Sequence, residues 1–120
     1  MRNINLPTAV QSLNVIYSTL TEKVKERGLE KASLYIKRHA LRASVFIHRC
    51  QRSNKKYESI RNYKIAILEM DKVYRMVMHL YNRGIITLEE LNAVMNEARG
   101  IRVATCYEIK EWYRFENWPQ

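Results

Sequence analysis

Residues 54–91 read NKKYESIRNYKIAILEMDKVYRMVMHLYNRGIITLEEL, and their periodicity decides the fold. Ile60, Tyr63, Ile67, Met70, Tyr74, Val77 and Tyr81 recur in steps of three and four, the spacing that puts side chains on one face of a helix packed against other helices. This predicts a long core helix over residues 54–83. Gly84 suits the left-handed C′ position that ends it, with Ile85 or Ile86 folding back over the last turn. Thr87-Leu88-Glu89-Glu90 then fits a capping box. In that motif the Thr hydroxyl and the Glu carboxylate satisfy each other's backbone donors, and Ile86 and Leu91 are spaced as a hydrophobic staple. A tight helical hairpin follows, its second arm predicted over 87–113.

That last helix is expected to turn Leu91, Val94, Ala98, Ile101, Thr105, Ile109 and Trp112 inward, and Gly100 weakens it by about 1 kcal/mol relative to Ala. Upstream, Pro7 suits a first helical turn, and Val10, Leu13, Ile16 or Tyr17, Leu20 and Val24 recur until Gly28, giving a helix over 7–27. A second helix over 29–52 aligns Ala32, Ile36, Ala40, Ala43, Ile47 and Cys50, small and branched residues that allow close helix approach. No run alternates polarity as a strand does, and no repeat or low-complexity tract occurs. The expected fold is all-α: one up-down-up-down antiparallel four-helix bundle spanning residues 1–120. The ending RFENWPQ, 114–120, is expected to leave the helix, its aromatic residues capping the open end of the bundle or docking on a partner.

Composition agrees with one such unit. The chain has 120 residues, 47% hydrophobic, with three Gly and two Pro, enough to bury and little to break helices. Cys50 and Cys106 stand far apart without a CxxC pair, so reduced thiols in a reducing compartment are expected. The start MRNINLPTAV lacks a signal peptide's apolar run and no segment has membrane-spanning length, which predicts a cytoplasmic protein.

The charge is uneven. Of the formal +9, residues 37–64 carry nine bases (Lys37, Arg38, Arg42, Arg49, Arg52, Lys55, Lys56, Arg61 and Lys64) against Glu58 alone. The rest of the chain is nearly neutral. At about 100° per residue, Arg38, Arg42, Arg49 and Arg52 fall opposite the Ile36, Ala40, Ala43, Ile47 stripe and form an outward basic ridge. Such neighbours repel by a few tenths of a kcal/mol per pair, and only Glu58 lies nearby in sequence to offset them. Stability does not explain the pattern; a polyanion does, the alternative being a solvated helix face paired with acids from another helix. Arginine forks suit bidentate phosphate contacts, so the predicted binding residues are Arg38, Arg42, Arg49, Arg52, Lys55, Lys56, Arg61 and Lys64, with RNA or DNA as partner. A membrane is a poorer partner, because the outward face offers no continuous apolar surface to insert. Leu34, Leu41 and Val45 point into or beside the charged sector and are the expected contact of a homo-oligomer.

Catalytic patterns are missing. His39, His48 and His79 stand isolated, with no HExxH spacing and no acid placed to orient them. Three scattered glycines build no phosphate loop. Glu89, Glu90 and Glu97 belong to a helix start, and Met70, Met76, Met78 and Met95 read as core filler. No catalytic residue, metal site or cofactor is expected, and the chain is read as a non-enzyme.

Residues 41–112 resemble the small four-helix-bundle family of ribosomal-RNA intervening-sequence proteins and diversity-generating retroelement accessory variability determinants (Avd). The resemblance lies in RCQRSNKK at the junction of helices two and three, the long helix YKIAILEMDKVYRMVMHLYNRG, and the hairpin IITLEELNAVMNEARGI. It implies a homopentameric ring with a basic surface and, for Avd, a non-catalytic partnership with a reverse transcriptase and its template RNA. Of the family's contacts, the resemblance carries over only to Arg42, Arg49, Arg52, Lys55 and Lys56. The competing expectations are an intervening-sequence-type bundle, or an interaction module whose basic face meets an acidic protein.

Overall fold

A computed structural model describes residues 6–52 and 55–116. The chain is an all-α four-helix bundle, made of α1 (Leu6–Glu26), α2 (Glu30–Arg52), α3 (Lys56–Asn82) and α4 (Leu88–Glu116). Short connections make successive helices antiparallel. Each helix packs on its two sequence neighbours around a square, α1 closing on α4, and α2 on α3 is the most extensive contact. The core runs down the centre through Val24, Ile36, Ile47, Val73, Val77, Val94 and Ile101.

Both left-handed corners fall on glycine. Gly28 has φ 83° and Gly84 φ 75°, a region costly for residues with a Cβ. At the second corner the Ile85 N–H donates to the Leu80 carbonyl at 2.9 Å and the Gly84 N–H to that of Tyr81 at 2.9 Å, the paired closure of a Schellman motif. Gly28 and Leu29 repeat it on Lys25 and Val24. The capping box forms as expected: the Thr87 N–H donates to Glu90 Oε1 at 2.8 Å, and the Glu90 N–H to Thr87 Oγ1 at 3.1 Å. Ile86 and Leu91 are both buried behind it. Glu90 also pairs with Lys23 of α1 at 2.7 Å. Burial opposes its ionisation, but the Lys23 and Thr87 hydrogen bonds outweigh that and hold its carboxyl below the usual range. Thr87→Ala should therefore lower stability by about 1 kcal/mol, read as a drop in thermal midpoint with helicity retained.

Polar side chains fix the relative heights of the helices. Asn14 donates to Ser44 Oγ at 3.2 Å and Ser33 to the Thr21 carbonyl at 2.9 Å between α1 and α2. Ser59 reaches the Cys50 carbonyl at 3.2 Å between α3 and α2, and Arg102 of α4 pairs with Asp71 of α3 at 2.5 Å.

Three details differ from expectation. The seam of α3 is rotated: Ile60, Tyr63, Met70 and Val77 are buried, but Ile67, Tyr74 and Tyr81 are only half-buried, while Ser59, Asn62, Ala66, Glu69, Val73 and Leu80 complete the interior. Because α3 packs on both α2 and α4, its buried sector is wider than a two-helix seam. The second difference is the ending: α4 continues to Glu116, since no breaker occurs between Gly100 and Pro119, so 114–116 are helical. Residues 117–120, with Trp118, lie outside the described residues, as do the side chains of Ile109 and Trp112. The third difference is His39, which is not isolated but meets Glu69 of α3. The other inward positions of α1, α2 and α4 are buried or half-buried as expected, with Tyr17 the inward choice over Ile16.

Candidate nucleic-acid interface

On α2, the core stripe Ile36, Ala40, Ala43, Ile47 leaves Lys37, Arg38, Leu41, Arg42, Val45, Arg49 and Arg52 exposed. The predicted ridge is therefore at the surface. Lys55, Arg61 and Lys64 are also exposed and Lys56 is half-buried, and the antiparallel turn between α2 and α3 places Arg49, Arg52, Lys55 and Lys56 at one end of the bundle. Leu34, Leu41 and Val45 share the outward face of α2, 58%, 64% and 37% exposed.

The basic face is larger than the stretch 37–64. Along α3, Arg61, Lys64, Leu68, Lys72 and Arg75 are all exposed and separated by three or four residues, a second outward stripe on one helix face. Residues 30–83, which span α2 and α3, hold 13 of the 21 bases and 4 of the 12 acids, a surplus equal to the whole +9 of the chain. Helix α4 and the tail are net acidic. The molecule is therefore polarised, with α2 and α3 positive and the opposite side near neutral, a distribution that steers anionic partners to one face.

Beneath that face lies Glu69, 5% exposed at its side chain. Its Oε1 meets His39 Nδ1 and, at 3.3 Å, Arg42 Nε; its Oε2 accepts from Lys72 Nζ at 3.1 Å. Burial alone raises a carboxyl's pKa. Here the His39 and Lys72 hydrogen bonds and charges prevail and hold Glu69 below its usual range. This corrects the expectation that no acid orients His39, and for Arg42 it matches the alternative of a ridge paired with an acid from another helix. One carboxylate nonetheless faces Arg42, Lys72 and His39 together. Arg38, Arg49, Arg52 and Arg61 carry no ion pair to an acid among the described residues.

Phe46 organises the middle of the ridge. The Arg42 and Arg49 guanidinium carbons lie 5.5 and 5.0 Å from its ring centroid, cation–π contacts that hold both forks extended against the surface. At the turn, Lys56 lies 5.2 Å from the centre of the Tyr57 ring, which is 71% exposed. Arginine planes and exposed aromatic rings on a cationic surface are the components that contact phosphates and bases in single-strand binders.

Among the described residues, clefts lie on either side of α3. One of about 220 Å³ lies against α4, lined by Ile67, Met70, Tyr74, Met95 and the Asp71–Arg102 pair. The other, about 390 Å³, lies where α2 begins and α3 ends, with Leu29, Ala32, Met76 and Leu80 as apolar lining. Tyr35, Lys31, His79 and Arg83 complete it, and none of its lining residues is acidic.

No group of three or more His, Cys, Asp or Glu side chains gathers to hold a metal among the described residues, and none of the described helices is long and apolar enough to cross a membrane. Cys50 is buried and Cys106 half-buried, with no disulfide between them. The residues that sequence reasoning missed are Phe46, Glu69, Lys72 and Arg75. The last two were visible as a continuation of the Arg61, Lys64 spacing; Glu69 and Phe46 acquire their roles only from partners that folding brings together. No protein-family model, curated protein or solved structure matches the chain.

Proposed function

We infer that the chain is a non-catalytic nucleic-acid-binding protein that receives phosphate backbones on the exposed face of α2 and α3. The observation that carries this reading is the set Arg38, Arg49, Arg52 and Arg61, surface guanidinium groups on one face with no acid partner among the described residues. Uncompensated surface charge of one sign costs repulsion and contributes nothing to packing; a polyanion relieves it. The more specific role, an Avd-like cytoplasmic accessory that helps a reverse transcriptase engage its template RNA, rests on the resemblance of residues 41–112. The exposed Leu34, Leu41 and Val45 suit the subunit contact of a homo-oligomer, for which that resemblance implies five copies.

Backbone recognition has a quantitative signature. If five to seven phosphates are neutralised, the logarithm of RNA affinity should fall with the logarithm of salt at a slope of about −4, with little dependence on RNA sequence. Filter binding across a salt series reads both. A slope near zero, or partners captured from lysate that survive nuclease, would transfer the face to an acidic protein, a reading that the apolar Leu41 and Val45 among the arginines also suits.

A further inference from the structure

We propose that the cleft between the start of α2 and the end of α3 holds an unpaired nucleobase, so that the ligand of the basic face is a single strand and not a duplex. This rests on the nucleic-acid reading above. The cleft is a continuation of the same face: Tyr35 lies one helical turn before His39, its ring centroid 4.4 Å from that of His39, and Met76 and His79 lie one turn beyond Lys72 and Arg75 on α3. A strand lying along the two stripes therefore reaches the cleft at its end.

The chemistry of the lining selects a base with its phosphate. Leu29, Ala32, Met76 and Leu80 offer an apolar bed and Tyr35 an aromatic ring, in a volume of about 390 Å³. Lys31, His79 and Arg83 border the same space, and none has an acid partner among the described residues. An apolar bed with an aromatic ring suits a flat base, which stacks in a sequence-tolerant way. Two cationic side chains, Lys31 and Arg83, suit the phosphate that the base carries with it, with the His79 ring beside them. A paired base cannot enter without leaving its duplex, which costs a few kcal/mol, so the cleft discriminates strandedness without reading sequence.

The test uses the full chain with a fluorescently labelled RNA of about 12 nucleotides, alone and as a duplex. Wild type should bind the single strand at least about tenfold more tightly at equal salt. Ala32→Trp, which fills the cleft, and Tyr35→Leu, which removes the aromatic face but keeps bulk, should each weaken single-strand binding about tenfold. Duplex affinity should stay unchanged, and the single-strand salt slope should fall by no more than the one phosphate that the base carries, about 0.7. A 2-aminopurine at the strand's end should change fluorescence on binding wild type but not Ala32→Trp.

Folded variants that bind the single strand with wild-type affinity would overturn the cleft while leaving the basic face intact. Equal wild-type affinity for single strand and duplex would do the same. Failure of wild type to bind either RNA would remove the nucleic-acid reading itself. An acidic Glu-rich peptide whose binding the cleft variants weaken, with RNA affinity unmoved, would assign the cleft to a protein partner.

Discussion

Reversing Arg38, Arg49 and Arg52 to Glu together should lower RNA affinity about 100-fold or more near physiological salt, and flatten the salt slope by about 2. Circular dichroism should change little. These three are chosen because they make no ion pair with an acid among the described residues, so their reversal breaks no internal salt bridge, whereas reversing Arg42 would set a new carboxylate against Glu69. The formal charge falls from +9 to +3. Arg49 and Arg52 occupy the last turn of α2, where cations favour the helix dipole by about 0.3–1 kcal/mol each, so a modest loss of stability is expected and must be separated from the loss of binding. The control is the same charge change on the other side, Lys25, Arg27 and Lys110 to Glu, all exposed. A general electrostatic effect would weaken RNA equally in both triples. Localised recognition predicts that the control loses less than about fivefold, and equal losses would refute it.

The fold was legible because its signals are local. Gly84, Thr87 and Glu90 lie within seven residues and dictate a corner through backbone geometry and two reciprocal hydrogen bonds, independent of the rest of the chain. Helical spacing likewise placed Ile36, Ile47, Val77 and Ile101 inside. The ridge was legible for the same reason, because α2 repeats arginine opposite its core stripe. What escaped depends on contacts across helices. Glu69 stands 30 residues from His39 and sits beside Leu68, which is 60% exposed, and Met70, which is buried; nothing adjacent marks it as interior. Its burial follows from the width of the α2–α3 contact, which turns the interior of α3 toward Ala66 and Val73 and brings Glu69 under α2. Phe46 reads from sequence as one more apolar residue. Only the fold shows it half-buried on the α3 side of α2 with an arginine on either flank.

Glu69→Gln should destabilise the protein by about 2 kcal/mol at neutral pH, the largest stability effect expected from a single conservative change on the basic face. Gln matches Glu in size and keeps one acceptor, so the cavity is unchanged and what is lost is charge. The wild-type carboxylate is nearly enclosed and meets three donors, of which His39 is mostly buried, at 14% exposure, while Arg42 and Lys72 are about half exposed. The cationic partners in water recover much of their solvation, which keeps the loss below that of a fully buried pair. The sign of the pH dependence follows from the lowered pKa of Glu69, held there against burial by His39 and Lys72. A carboxyl that is more acidic folded than unfolded adds stability in full above the unfolded value of about 4.5. That contribution disappears as pH falls through the lower folded value. Wild type and Glu69→Gln should therefore differ most in urea melts near neutral pH, and converge as acidification carries the pH below the usual carboxyl range. RNA affinity should move the other way or not at all, because the substitution releases Arg42 and Lys72 from their shared carboxylate and raises the surplus of the face. A variant as stable as wild type at every pH would show that the carboxylate is compensated elsewhere. Loss of RNA binding alongside intact stability would give Glu69 a positioning role for Arg42 that its burial beneath the face does not predict.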